Sequence, residues 1–315
     1  MRKILLIIAV LVQGCVGLSA QEVVRDTFHY ATHNSEELYL DRYVLDGEST
    51  SQRPCMIFAF GGGFVMGERD HEYYDIYFDR LAREGIVVVS IDYRLGLKNL
   101  KTKVGVMEMI DVFDNAISIA VEDMYAATNF VIANSEEWMV DVTKIMVSGS
   151  SAGAITALQA EWMRCNGEEL AAVLPEGFRY AGVVSCAGAI YSIKGKPKFR
   201  STPAPMMLFH GTSDSNVPYD HAAVFGIGFY GSEYIVRQLD RLKSPYWFYS
   251  AEYMDHRMAG LPLIYQCDVI MQFIRDFVIR GEVLQIRTDV KDINGERHPT
   301  RFKVMDYIKT NYARR

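Results

Sequence analysis

Short apolar runs bounded by turn-forming residues recur along the chain, at Cys55 to Phe60, Ile86 to Asp92, Ile145 to Ser150, Ala181 to Cys186, Pro205 to Phe209 and Tyr246 to Ser250. Runs of this length with little polar alternation predict strands covered on both faces. Between them the apolar positions adopt helical spacing, over Glu72 to Arg83, Asp114 to Asn134, Ala152 to Cys165, Asp220 to Leu242 and Gln266 to Ile279. Strands alternating with helices predict an α/β protein built on a mostly parallel sheet of about eight strands, with helices on both faces. Two earlier runs, Thr27 to Tyr30 and Glu37 to Val44, flank a polar turn region and predict an antiparallel edge. Gly96 to Ser118 and Gly281 to Arg315 fall outside the alternation. The first is expected to be either a lid or acyl-pocket wall or a plain surface helix and loop, and the second a packed C-terminal extension.

Chemistry enters where the strands end. Gly149-Ser150-Ser151-Ala152-Gly153 joins an apolar strand to a helix rich in small residues, the setting in which a G-x-S-x-G exposes its serine on a sharp turn as a nucleophile. Gly61-Gly62-Gly63 follows another strand, and successive glycines let backbone N–H groups approach a substrate oxygen. Asp214 and His256 each lie just beyond a later strand, where open α/β sheets gather functional groups. Of the seven histidines, His29, His33 and His71 precede the serine and His298 lies beyond the expected fold, whereas His210 and His221 are close in sequence to Asp214. His256 is left as the base. Asp214 also suits a turn cap, since Asp-Ser-Asn is ordinary turn chemistry.

With these residues in view the chain resembles the α/β-hydrolase superfamily, most closely bacterial esterases of the hormone-sensitive-lipase and carboxylesterase branch. The resemblance runs from about residue 53 to 280 and also takes in Asp92-Tyr93-Arg94-Leu95, Glu122-Asp123 before the nucleophile strand, and Asp214 to Pro218. It implies Ser151 as nucleophile, Asp214 as acid, His256 as base, and Gly62, Gly63 and Ala152 as oxyanion donors. The family usually carries a histidine before the glycines; here it is Phe60, which must hold the loop by packing. Phe64, Phe225 and Phe229 are the aromatic residues expected to line a substrate pocket, their alternative being the core. The implied reaction is hydrolysis of a carboxylic ester through an acyl-enzyme, with acetyl or feruloyl esters of carbohydrate as one substrate class. A serine peptidase on the same fold and a non-catalytic binding protein on a hydrolase scaffold are the competing readings.

Composition narrows the field further. With 315 residues, half of them hydrophobic, residues 21 to 315 are expected to form one domain. A net charge of −6 without a basic stripe argues against nucleic acid. No cofactor is implied, and neither H-E-x-x-H nor C-x-x-C spacing is present for a metal. Arg2 and Lys3, the apolar Ile4 to Val12 and Leu18-Ser19-Ala20 predict a signal peptide over residues 1 to 20 and hence export, with no transmembrane helix in the remainder. Cys15 offers the alternative of a lipid-anchored form. Cys55, Cys165, Cys186 and Cys267 then remain, as buried free thiols or with Cys55–Cys165 as the least implausible pair.

Overall fold

The computed structural model describes residues 21–47, 49–100 and 106–293. The leader pattern, Cys15 and His298 lie outside these residues. The chain opens with β1 (Val23–His33) and β2 (Glu36–Leu45), an antiparallel pair turned by Asn34 and Ser35. It continues through β3 (Arg53–Ala59), α1 (Asp75–Arg83), β4 (Val87–Ile91), α2 (Val106–Ala133), β5 (Val140–Ser150) and α3 (Ala152–Asn166). Then come β6 (Gly182–Cys186), β7 (Ala189–Ser192), β8 (Met206–Gly211), β9 (His221–Val224), β10 (Ile227–Gly231), α4 (Ser232–Leu242) and β11 (Tyr246–Glu252). The described chain closes with α5 (Leu261–Tyr265), α6 (Cys267–Phe273), a π-helical turn (Ile274–Ile279) and β12 (Gln285–Lys291).

Nine strands form the main sheet in the order β1-β2-β4-β3-β5-β6-β8-β11-β12. From β3 the chain steps outward to β4 and then returns past β3 to β5, so the strand order reverses between β3 and β5. At such a reversal the loops leaving the two neighbouring strands diverge and open a crevice at their carboxyl ends. Those loops carry Gly61 to Gly63 and Ser151. The central strands are buried on both faces: every residue of β4 and β6 is buried, as the unbroken apolar runs require.

Three segments differ from the sequence reading. Asp220 to Leu242 is not one helix: its first half is the β9–β10 hairpin, paired through β10 with β7 in a separate three-stranded sheet. Phe225 and Gly226 both have positive φ, forming the two-residue turn that matches strand twist, and glycines at 226, 228 and 231 disfavour a helix. The described part of Gly281 to Arg315 contributes β12, a parallel ninth strand on β11 that the run of apolar strands in the sequence does not include. Within Gly96 to Ser118, the described part from Val106 is the start of α2. There Phe113 packs on Tyr191 and Phe229, and the Tyr191 hydroxyl donates to Ile110 O (3.1 Å).

α2 is apolar and long enough, over Glu108–Ala133, to meet the requirements of a membrane span, yet more than half of that stretch is buried and it packs along α3. It is a core helix here. All four described cysteines are free and buried. Burial pushes their thiols up, Cys165 to about 12 and Cys267 to about 11, which suppresses the reactive thiolate. These thiols are therefore expected to stay silent toward a disulfide reagent at pH 8 in the native protein and to react once it is unfolded; prompt native labelling would contradict this packing.

Candidate active site

Ser151 stands between β5 and α3 with a positive φ, a strained conformation for a residue with a Cβ. The flanking glycines make the turn possible through close approach. A Cβ on Gly149 would lie 2.2 Å from the backbone of Gly153, and one on Gly153 would lie 2.0 Å from Ala59 O. The Ser151 N–H donates to Cys186 O (2.9 Å), tying the turn to the end of β6. α3 is nearly all buried behind it, and Ala152, Gly153, Ala154 and Ala157 let it lie close on the sheet. Its N-terminal N–H groups lack intrahelical acceptors, so the partial positive end of a 15-residue helix faces the crevice beside the serine.

Asp214 and His256 come from separate loops that are stitched together. Thr212 N–H donates to Ala251 O, Ser213 N–H to Met254 O, and Tyr253 N–H to the Thr212 hydroxyl (3.0, 2.9 and 2.8 Å). This sets the acid loop against the histidine loop. Asp214 then uses its two oxygens differently. Oδ1 accepts from the N–H groups of Asn216 and Val217 (2.8 and 2.9 Å) and so caps its own turn, while Oδ2 faces His256 Nδ1 at 2.7 Å. The turn-capping and histidine-binding roles coexist on one carboxylate. His256 Nε2 in turn lies 2.8 Å from Ser151 Oγ. With Nδ1 facing a carboxylate, the ring proton belongs on Nδ1, which leaves Nε2 free to accept from the serine hydroxyl.

A second histidine reaches the same carboxylate. His210, fully buried at the end of β8, has Nε2 3.2 Å from Val217 O and 3.5 Å from Asp214 Oδ2, and Nδ1 2.8 Å from the Ser232 hydroxyl. Burial alone would raise the Asp214 pKa, but His256 and His210 outweigh it and hold the carboxyl well below the usual range. Sequence spacing argues against His210 as a partner because it stands so close to Asp214 along the chain. That short separation, across a tight turn at a strand end, is what brings the two together. Asp255, beside His256, serves as a cap that accepts from Arg257 N–H.

The glycine loop lies against the serine: a Cβ on Gly61 would be 3.0 Å from Ser150 Oγ and 3.4 Å from Ser151 Cβ. Gly62 O accepts from Val65 and Met66 N–H, closing the loop on itself. No protein acceptor for the N–H groups of Gly62 or Gly63 is found among the described residues. Phe60 is buried, its ring 4.5 Å from that of Tyr93 and pressed against Gly67, where a Cβ would come within 2.5 Å. Phe60→Ala is expected to cost about 3 to 5 kcal/mol of stability and to lower turnover by loosening this loop. A thermal melt and steady-state kinetics matching wild type would contradict that role.

Asp92, Tyr93 and Arg94 are braces. Asp92 Oδ2 accepts from Arg69 and from Tyr39 N–H, Arg94 pairs with Asp123 and Glu122, and the Tyr93 hydroxyl donates to Phe60 O. A cleft of about 400 Å³ opens along the glycine loop, walled by Gly61, Gly62, Met66, Glu68, Tyr73 and Tyr74 among others, with neither Ser151 nor His256 in its wall. None of the three expected pocket aromatics lines it. Phe64 turns inward against Tyr93, its ring buried. Phe225 caps the β9–β10 hairpin, 99 % exposed, because the turn projects its side chain away from the sheet. Phe229 is buried between Phe113 and Tyr191. Gly63 also stands outside that wall. Among the described residues no cluster of His, Cys, Asp or Glu is suited to a metal.

A mostly parallel sheet in this strand order, with a serine elbow between strand and helix and an aspartate and a histidine beyond later strands, is the α/β-hydrolase fold. Within that class, the family model described as BD-FAE matches residues 40–170. The chain is 31 % identical over 142 residues to fumonisin B1 esterase of Sphingopyxis macrogoltabida, covering 44 % of this chain and 25 % of that one. It is 29 % identical over 151 residues to tuliposide A-converting enzyme b1 of Tulipa gesneriana, covering 45 % and 35 %. The chain thus spans about a third or less of the length of these relatives. Among solved structures, the apo form of Thermogutta terrifontis esterase 2 superposes with a TM-score of 0.59 at 22 % identity, covering 82 % of this chain and 95 % of that one. That likeness is one of fold.

Proposed function

We propose that this protein is a serine carboxylic-ester hydrolase acting through an acyl-enzyme. The observation that carries the reading is the continuous relay from Ser151 Oγ through His256 to Asp214, at 2.8 and 2.7 Å, beside a glycine loop with uncommitted N–H groups. Ser151 Oγ attacks the ester carbonyl carbon while its proton passes to His256 Nε2, and Asp214 stabilises the imidazolium that results. The carbonyl oxygen becomes an oxyanion, held by N–H groups of Gly62 and Ala152, with Gly63 as a further donor; each such donor contributes about 3 kcal/mol to lowering the barrier. The tetrahedral species collapses, the C–O bond to the alcohol breaks, and His256 delivers its proton to the departing oxygen. Water then attacks the acyl-enzyme with His256 accepting its proton, and Ser151 is regenerated as the acid leaves.

Esterase names among the sequence relatives, fumonisin B1 esterase among them, support ester over amide hydrolysis. For the alcohol or acyl partner we favour a carbohydrate ester, acetyl or feruloyl, because the exposed Tyr73 offers an aromatic face and Glu68 and His71 polar groups along the cleft. The leader pattern of residues 1 to 20 supports export, where such polymers are met. A fluorophosphonate probe should label Ser151, identified by mass spectrometry of its peptide, and a panel of acetylated xylan, feruloyl and p-nitrophenyl esters should show turnover. Absence of both labelling and turnover would leave the binding-protein reading. Tyr73→Ala should raise KM several-fold for the preferred ester with kcat little changed, since a wall residue binds ground state and transition state alike. A loss in kcat alone would remove Tyr73 from the substrate wall.

A further inference from the structure

Gly61 and Phe60 share one peptide unit, and both of its polar ends are taken by tyrosine hydroxyls. The Tyr93 hydroxyl donates to Phe60 O at 2.8 Å, and the Gly61 N–H donates to the Tyr74 hydroxyl at 3.1 Å. The two tyrosines come from different places, Tyr93 from the end of β4 and Tyr74 from the short helical turn Glu72–Tyr74 ahead of α1. Both are buried. Tyr74 is fixed further by ring contacts with Phe58 (4.7 Å) and Phe78 (6.0 Å), and its hydroxyl also lies against the Ser150 side chain, next to the nucleophile.

A peptide plane held at both ends cannot rotate, and its orientation sets where the following N–H groups point. Gly61 and Gly62 have no side chains to restrict them, so a loop of three glycines would otherwise sample many orientations. Phe60 restrains the loop only by packing, which limits translation more than rotation of the peptide. From this geometry we infer that Tyr74 and Tyr93 act as a two-hydroxyl clamp, positioning residues that preorganise the oxyanion donors of the glycine loop; the inference rests on the hydrolase reading above. Because the Tyr74 hydroxyl touches both Gly61 and Ser150, it also fixes the loop relative to the nucleophile.

The test removes one oxygen at a time. Tyr74→Phe should lower kcat on p-nitrophenyl acetate by about tenfold or more, the scale of a misplaced rather than missing oxyanion donor, with KM nearly unchanged. A trifluoromethyl ketone, which forms an oxyanion on Ser151, should lose affinity by the same factor as kcat/KM. Tyr93→Phe should behave alike, and the double variant should fall well short of the product of the two effects because both act on one peptide. Amide hydrogen exchange across residues 60 to 67 should quicken in Tyr74→Phe, a readout that needs no substrate. A kcat within twofold of wild type, a change in KM alone, or unaltered exchange in that segment would overturn the clamp. Faster exchange in Tyr74→Phe, together with a wild-type protein that turns over no ester, would instead remove the hydrolase reading and leave the clamp standing as a loop brace.

Discussion

Ser151→Ala is expected to lose turnover on its best ester by on the order of 10⁶-fold, and His256→Ala by a similar factor. The two side chains form one proton-transfer unit at 2.8 Å, so the double variant should be little worse than either single one. The fold should survive, since Ser151 contributes its backbone, not its hydroxyl, to the tie with Cys186 O. A further contrast separates chemistry from strain. Ser151→Gly removes the Cβ that makes the positive φ costly and should be more stable than Ser151→Ala by about 1 to 3 kcal/mol, while being equally inactive. Kinetics with calorimetry on the three variants would check this. Turnover retained in Ser151→Ala would end the assignment of the nucleophile.

Asp214→Asn should lower kcat by on the order of 10⁴-fold while leaving the acid loop folded. The amide can still present an oxygen to the Asn216 and Val217 N–H groups in place of Oδ1, but its NH₂ then faces His256 Nδ1. That favours the tautomer with hydrogen on Nε2, which cannot accept the Ser151 proton. Asp214→Ala loses the cap as well and should melt lower than the Asn variant. The pH dependence follows from the depressed carboxyl: burial raises its pKa, and His256 and His210 more than reverse that. A carboxyl lowered in the native state stabilises fully above its unfolded value of about 3.9 and loses that contribution as pH falls toward the native value. The stability gap between wild type and Asp214→Asn should hold steady above pH about 4 and narrow below it. A gap that instead widened on acidification would show that the carboxyl is not ionised in the native protein.

The chain's local pattern carries a large part of the fold. The buried strands at 55–60, 86–92, 145–150, 181–186, 205–209 and 246–250 are legible because parallel strands covered on both faces must be continuously apolar. Each appears within a few residues of its run. Ser151 is legible for a related reason: Gly149 and Gly153 are demanded by backbone atoms 2.2 and 2.0 Å from where a Cβ would sit, so the chemistry of the turn is written in two small residues. Asp220 to Leu242 is less transparent, because its apolar residues suit helical spacing while its glycines at 226, 228 and 231 suit a hairpin. Cross-strand pairing with β7, distant in sequence, decides between them.

The sequence by itself determined the order along the chain of the main-sheet strands from β3 to β11 and the elbow at Ser151, since each rests on hydrophobic period and backbone freedom among near neighbours. Only the tertiary structure decided what surrounds them. His210 joins Asp214, two tyrosines grip the Phe60–Gly61 peptide, and the aromatic residues at 64, 225 and 229 turn away from the cleft, leaving Tyr73 and Tyr74 on its wall. The physical reason is range. A strand or a turn is selected by hydrophobic period and backbone freedom over a few residues, whereas a hydrogen-bond partner or a pocket wall is selected by which side chains the strand order brings together, and that order is set by packing across the whole sheet.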